Sequence, residues 1–215
     1  MNLTASRFDH AVLGPDRPHA EILAEAARAA SHAVRGLCVL PRAAVVAREP
    51  LRGSRTLLVV VVNFPAAAST AELAAIEARR AVDDGAGEVD AVVPAGWLRA
   101  GEFSRALDYV AGIVRAAGVP VKAIVEAAMF DDPVLARVGR EVVGPSGAAF
   151  FKTGTGVYGG ALAPERIRAL RSALPATLLL KVSGGIRDAE QALRAVESGA
   201  DVLGTSRTFA ILGLE

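Results

Sequence analysis

Lysine is almost missing from this chain. Of 24 lysine and arginine residues in 215, only Lys122, Lys152 and Lys181 are lysine, and the other 21 are arginine. Cysteine occurs once, at Cys38, which excludes an internal disulfide framework and fits a reducing compartment. Aromatic residues make up 5 %, the net charge is +1 and no basic run occurs, a combination that argues against a nucleic-acid partner. No apolar run reaches the length of a membrane span. The longest, "TLLVVVVNFP" (56–65), has the length and β-branched content of a strand. The start, "MNLTASRFDH", carries no hydrophobic signal segment, so a soluble cytoplasmic protein with no membrane partner is expected.

Apolar residues are abundant instead. Hydrophobic content is 52 % and charged content 22 %, enough for a full core and too apolar for disorder. Eight short β-type segments follow one another: "FDHAVL" (8–13), "GLCVLP" (36–41), "LLVVVVNFP" (57–65), "EVDAVVP" (88–94), "VKAIVE" (121–126), "AFFKTG" (149–154), "TLLLKVSG" (177–184) and "DVLGTS" (201–206). Alanine-rich stretches of helical spacing separate them. Ser69 with Glu72, Asp132 with Pro133, and Asp188 with Gln191 read as helix starts. Glycines at 85, 118, 147 and 199 each close a helix before the next strand. Near-continuous apolar strands alternating with helices describe parallel strands covered on both faces. Eight such units predict a single α/β domain over residues 1–215, a closed (β/α)8 barrel. An open doubly wound sheet is the runner-up, but no G-x-G-x-x-G follows the first strand.

The three lysines all lie in apolar segments: "VKAIVE", "FFKTG" and "LLLKVSGG". Lysine is seldom buried without a reason, and unlike arginine it can lose its proton. One such lysine would be read as snorkelling from a strand end; three of three point to chemistry. Asp9 lies in the first segment, Asn63 ends the third and Asp90 lies in the fourth. Lys122 and Glu126 fall four apart in the fifth, on one face of a strand, where Glu126 reads as a lysine partner. A barrel would gather these groups at the C-terminal ends of its strands. Two neighbouring ammonium groups and burial would each lower a lysine's pKa. A neutral amine could then attack a carbonyl to form a Schiff base, with Asp90 orienting water and moving protons. "SGGIR" (183–187) and "GTSR" (204–207), after the last two strands, read as an anion site. "TGTG" (153–156) could add a wall.

At these residues the chain resembles deoxyribose-phosphate aldolase, a class I aldolase family on a (β/α)8 barrel. The pieces that carry the likeness are "GAGEVDAVVP", "FFKTGTG" and "KVSGGIRD". The resemblance implies reversible cleavage of 2-deoxy-D-ribose 5-phosphate to acetaldehyde and glyceraldehyde 3-phosphate, without metal or other cofactor. It implies Lys152 as the Schiff-base lysine, Lys181 as the second lysine that perturbs it, and Asp90 as the proton-transfer group. Asp9, Lys122 and Asn63 would lie near the substrate; Thr155, Gly156, Gly184, Gly185, Gly204 and Ser206 would line the phosphate region. Cys38 matches a position near the site and is given no catalytic role. Members are often dimers or tetramers, so a homo-oligomer is expected. The chain departs from the family pattern at Ala11, at "AAAS" after "NFP", at "VEAAM", at "KVSGG" and at "VYGGA". A different sugar or sugar phosphate is therefore an alternative substrate, and a barrel that binds a phosphorylated ligand without catalysis is a second alternative.

Overall fold

In a computed structural model, described over residues 3–214, eight parallel strands close into a barrel in chain order. They are β1 (Phe8–Val12), β2 (Gly36–Val39), β3 (Leu57–Val62), β4 (Glu88–Val92), β5 (Val121–Ile124), β6 (Phe150–Lys152), β7 (Leu179–Ser183) and β8 (Val202–Thr205). The helices are α1 (His19–Ser31), α2 (Ala44–Leu51), α3 (Ala71–Asp83), α4 (Ala95–Ala100), α5 (Phe103–Ala117), α6 (Asp132–Val138), α7 (Pro164–Ala173), α8 (Ala189–Glu197) and α9 (Thr208–Leu212). The architecture is the expected (β/α)8 barrel.

Strand periodicity separates two layers. Outward residues such as Leu37, Val60, Val62, Val89, Phe151 and Leu180 join the helices in one large apolar cluster. On α5, Phe103, Ala106, Val110, Ile113 and Ala117 recur at helical spacing and supply its buried face. Both faces of each strand are covered, which explains the unbroken apolar runs. Inside the barrel Cys38, Val59 and Val61 form a small separate cluster. Asp9, Glu88, Asp90, Lys122, Lys152 and Lys181 are also buried there, in a layer where bulky aliphatic residues ordinarily dominate.

Helix starts differ in detail from the sequence reading. The cap of α3 is Thr70, whose hydroxyl accepts from Leu73 N–H, not Ser69. The Asn63 side chain accepts from the Ser69 N–H at 2.9 Å and so fixes Ser69 in the preceding loop. The cap of α6 is Asp131, which accepts from Val134 N–H at 3.0 Å. Asp132 lies inside the first turn and pairs with Arg166 at 2.7 Å. Asp188 does cap α8, accepting from Gln191 N–H at 2.8 Å.

Candidate active site

Register brings the charged residues together. Lys152 on β6 is the direct partner of Lys181 on β7, and Asp90 on β4 is the partner of Lys122 on β5. Asp9 on β1 lies opposite Gly36 and Gly204. A Cβ at position 36 would fall 2.6 Å from Asp9 Oδ1, so only glycine leaves room for that carboxylate. Asp9, Asp90, Lys122, Lys152 and Lys181 are all buried.

Asp90 is the hub. Its Oδ2 accepts from Lys152 Nζ at 2.7 Å and from Lys181 Nζ at 2.8 Å. Its Oδ1 accepts from Lys122 Nζ at 2.8 Å. Lys181 also donates to Asp9 Oδ2 at 2.6 Å. Lys122 has a further bond to Glu88 Oε2 at 2.5 Å and lies 3.5 Å from Asp9 Oδ2. The Cys38 thiol donates to Asp90 Oδ2 at 3.8 Å.

The charges in this cluster fix one another. Burial alone would push the Asp90 carboxyl up, but Lys122, Lys152 and Lys181 outweigh it and hold it well below the usual carboxylate range. Asp9 is held down in the same way, its burial opposed by Lys181, Lys122 and Arg35. Burial alone would push Lys181 down, yet Asp9 and Asp90 raise it above the ordinary lysine value. Lys122 is raised by the same balance, with Asp90 and Asp9 opposing burial. The expected lowering of a lysine's pKa by burial and a neighbouring ammonium does not hold at these two. At Lys181 and Lys122 the shared carboxylates win, and both are permanent cations near neutral pH. Burial, then Asp90, pushes the Cys38 thiol up, so it stays neutral.

Above the cluster, at the C-terminal ends of the strands, opens a cleft of about 460 Å³. Asp9, Lys152 and Lys181 reach its floor, and Thr155, Gly156, Gly184, Gly185, Gly204 and Ser206 line its wall. Gly185 has φ 75° and packs so closely that an added Cβ would lie 2.5 Å from Ala161 N. Thr155 is held by its own backbone: its N–H donates to Glu126 Oε1. Sequence reasoning overlooked the cationic rim of Arg17, Arg187 and Arg207. Arg187 was present in "SGGIR", and Arg207 follows the serine of "GTSR". Arg17 sits in the β1–α1 loop, where only the fold shows what it faces.

Two expected site residues lie elsewhere, and Glu126 does not take the partner expected of it. Asn63 does not line the cleft; it donates to Tyr109 Oη at 2.9 Å and to Ser69 O at 3.3 Å, tying down the β3–α3 loop. Lys122 is fully buried beneath the cleft, bonded to Glu88 and Asp90, with no surface for substrate. Glu126 pairs with no lysine among the described residues. Strand β5 ends at Ile124 and Glu126 has φ 53°, so the alternation that would align it with Lys122 has stopped. Also among the described residues, no helix is long and apolar enough to cross a membrane. In the same set, no group of three or more His, Cys, Asp or Glu side chains is placed to hold a metal ion.

No family model matches the chain. Known proteins do. The chain is 36 % identical over 203 residues to a deoxyribose-phosphate aldolase of Microcystis aeruginosa, covering 94 % of this chain and 89 % of that one. It is 37 % identical over 213 residues to one from Methanothermobacter thermautotrophicus, covering 97 % and 93 %. Among solved structures, the tetrameric deoxyribose phosphate aldolase of Aeropyrum pernix superposes with a TM-score of 0.88 at 32 % identity, over 97 % of this chain and 89 % of that one. An aldolase designated QR15 superposes with a TM-score of 0.93 at 27 % identity, over 99 % and 96 %. Likeness of this extent, joined to a barrel whose cleft carries two lysines on one aspartate, places the chain among aldehyde-lyases: it belongs to the deoxyribose-phosphate aldolase family.

Proposed function

We propose that the chain cleaves 2-deoxy-D-ribose 5-phosphate to acetaldehyde and D-glyceraldehyde 3-phosphate through a Schiff base on Lys152. The observation that carries this reading is the contact of Asp90 Oδ2 with Lys152 and Lys181 together at the floor of an open cleft. Lys152 has one carboxylate partner, whereas Lys181 has two and Lys122 three. Of the three amines it gives up the fewest ion pairs on becoming neutral. Its free amine adds to the substrate aldehyde carbon, and loss of water gives an iminium. A base removes the proton of the C3 hydroxyl; the C2–C3 bond breaks and its electrons pass to the iminium nitrogen. Glyceraldehyde 3-phosphate leaves, an enamine remains, and protonation at carbon followed by hydrolysis frees acetaldehyde and Lys152. Asp90, held ionised, accepts and relays protons, and Lys181 supplies a fixed positive charge. The phosphate would sit against Gly184, Gly185, Gly204 and Ser206, beneath the arginine rim.

Comparing cleavage of 2-deoxyribose 5-phosphate with that of free 2-deoxyribose tests the substrate. The phosphate ester is expected to give a kcat/KM higher by on the order of 10²-fold or more, since charge-assisted contacts each contribute about 1.5–3 kcal/mol. Equal values would count for a different aldol pair. Lys181→Leu removes a cation beside Lys152 and so favours the protonated amine. Its pH–rate midpoint is expected to rise by about one unit, with a lower rate at pH 7; an unmoved profile contradicts the role given to Lys181. Assembly into a dimer or tetramer is proposed on the tetramer described for the Aeropyrum pernix relative.

A further inference from the structure

The aldolase reading uses the top of the barrel, while its floor carries a charge pair with no part in that chemistry. Arg35, the residue before β2, donates to Asp9 Oδ1 at 2.7 Å. It also donates to both oxygens of Glu88, at 2.9 and 2.6 Å. Glu88 in turn accepts from Lys122, and Lys122 donates to Asp90. One chain of charge-assisted hydrogen bonds thus runs from Arg35 to the carboxylate that touches Lys152. Phe150 walls it, with Arg35 at 5.4 Å and Lys122 at 5.3 Å from the ring centroid.

The charge count of this cluster is uneven. Arg35, Lys122, Lys152 and Lys181 are four cations, set against the three carboxylates Asp9, Glu88 and Asp90. The cluster reaches balance when one amine gives up its proton, and Lys152 has the fewest partners. We infer that Arg35 and Glu88 are positioning residues that set the pH at which Lys152 reacts, acting through Lys122, Asp9 and Asp90.

Around Lys152 the other charged or titratable groups are Asp9 on β1, Asp90 on β4, Lys122 on β5 and Lys181 on β7. Cys38 on β2 stays a thiol, and β3 and β8 present Val61 and Gly204. The rim arginines face the cleft mouth, where Arg17 is already paired with Glu21 at 2.8 Å. Removing a floor carboxylate makes the cluster more positive, so the amine is freed at lower pH. Removing the floor guanidinium does the reverse. A merely structural pair would not give shifts of opposite sign.

This inference rests on the Schiff-base reading, and one experiment separates the two. Acetaldehyde with cyanoborohydride, applied from pH 5 to 9 and read by peptide mass spectrometry, yields a midpoint for labelling of Lys152. Glu88→Gln is expected to lower the midpoint, and Arg35→Gln to raise it, each by on the order of one pH unit. Glu88→Asp and Arg35→Lys, which keep the charges, are expected to restore the wild-type midpoint. If Glu88→Gln does not fold, Arg35→Gln against Arg35→Lys carries the test, and equal midpoints in those two overturn the inference. Absence of label in the wild type overturns the Schiff-base reading itself. Label with midpoints that do not move in opposite directions overturns the role of the floor pair and leaves that reading standing.

Discussion

Lys152→Arg is expected to lower cleavage of 2-deoxyribose 5-phosphate by on the order of 10⁴-fold or more, with the fold retained. Arginine keeps the positive charge and can still reach Asp90, whose Oδ2 sits 2.7 Å from Lys152 Nζ. The buried ion pairing therefore survives. The guanidinium does not deprotonate in a protein, so it cannot add to a carbonyl. Charge and reactivity are separated by this one substitution. A coupled assay for glyceraldehyde 3-phosphate, with a melting curve beside it, reads both. A variant that stays folded and retains a tenth of the wild-type turnover would remove Lys152 from the chemistry.

Asp90→Asn is expected to harm both catalysis and stability. The carboxylate meets three ammonium groups. An amide of the same shape neutralises none of them and directs its own NH₂ donors toward cations. Breaking a buried pair by removing one partner costs about 3–5 kcal/mol, which for a chain of this size lowers Tm by roughly 10 °C. Turnover is expected to fall about 10²–10⁴-fold through loss of proton transfer. The acid limb of stability changes as well. Asp9 and Asp90 have folded-state values below the ordinary one. Their contribution is therefore present above about pH 4 and is lost as pH falls further. In Asp90→Asn that acid loss is expected to shrink, leaving the share due to Asp9. Melting curves at pH 7 and pH 3, with turnover at pH 7, check the whole prediction. An unchanged Tm at pH 7 contradicts the assignment of Asp90 as the hub.

The barrel was legible because its physics is local. Strands covered on both faces must be apolar throughout, and Val59–Val62 shows the consequence, two valines facing the helices and two the interior. The ends of strands were less legible. The fifth segment was read to Glu126, but the strand stops at Ile124, because the backbone turns to let Glu126 hold the Thr155 N–H. Nothing within "VKAIVE" signals that distant partner. Ser69 and Thr70 are equally good caps by type, and the choice is made by Asn63, six residues away. The same bonds explain why Asn63 is unavailable to substrate.

Of the buried charge cluster, Lys152, Lys181, Asp90 and Asp9 were readable as costly groups in apolar strands; register pairs Lys152 with Lys181 on β6 and β7, and closure of the barrel brings Asp9 on β1 and Asp90 on β4 across to them. The sign of the electrostatics was not readable, since spacing gives neighbours but not whether an amine or a carboxylate lies nearer. Glu88 was legible in principle. It stands two residues before Asp90, and a strand turns such residues to one face. Arg35 was not, because its reach to Glu88 depends on β2 and β4 lying on either side of β3 in the closed barrel.

The central claim is tested most directly by reducing the protein with borohydride in the presence of acetaldehyde and mapping the product by peptide mass spectrometry. A single ethyl adduct on the peptide containing Lys152, absent from Lys152→Arg, is the predicted result. An adduct on Lys122 or Lys181 in its place, or none anywhere, would contradict the account.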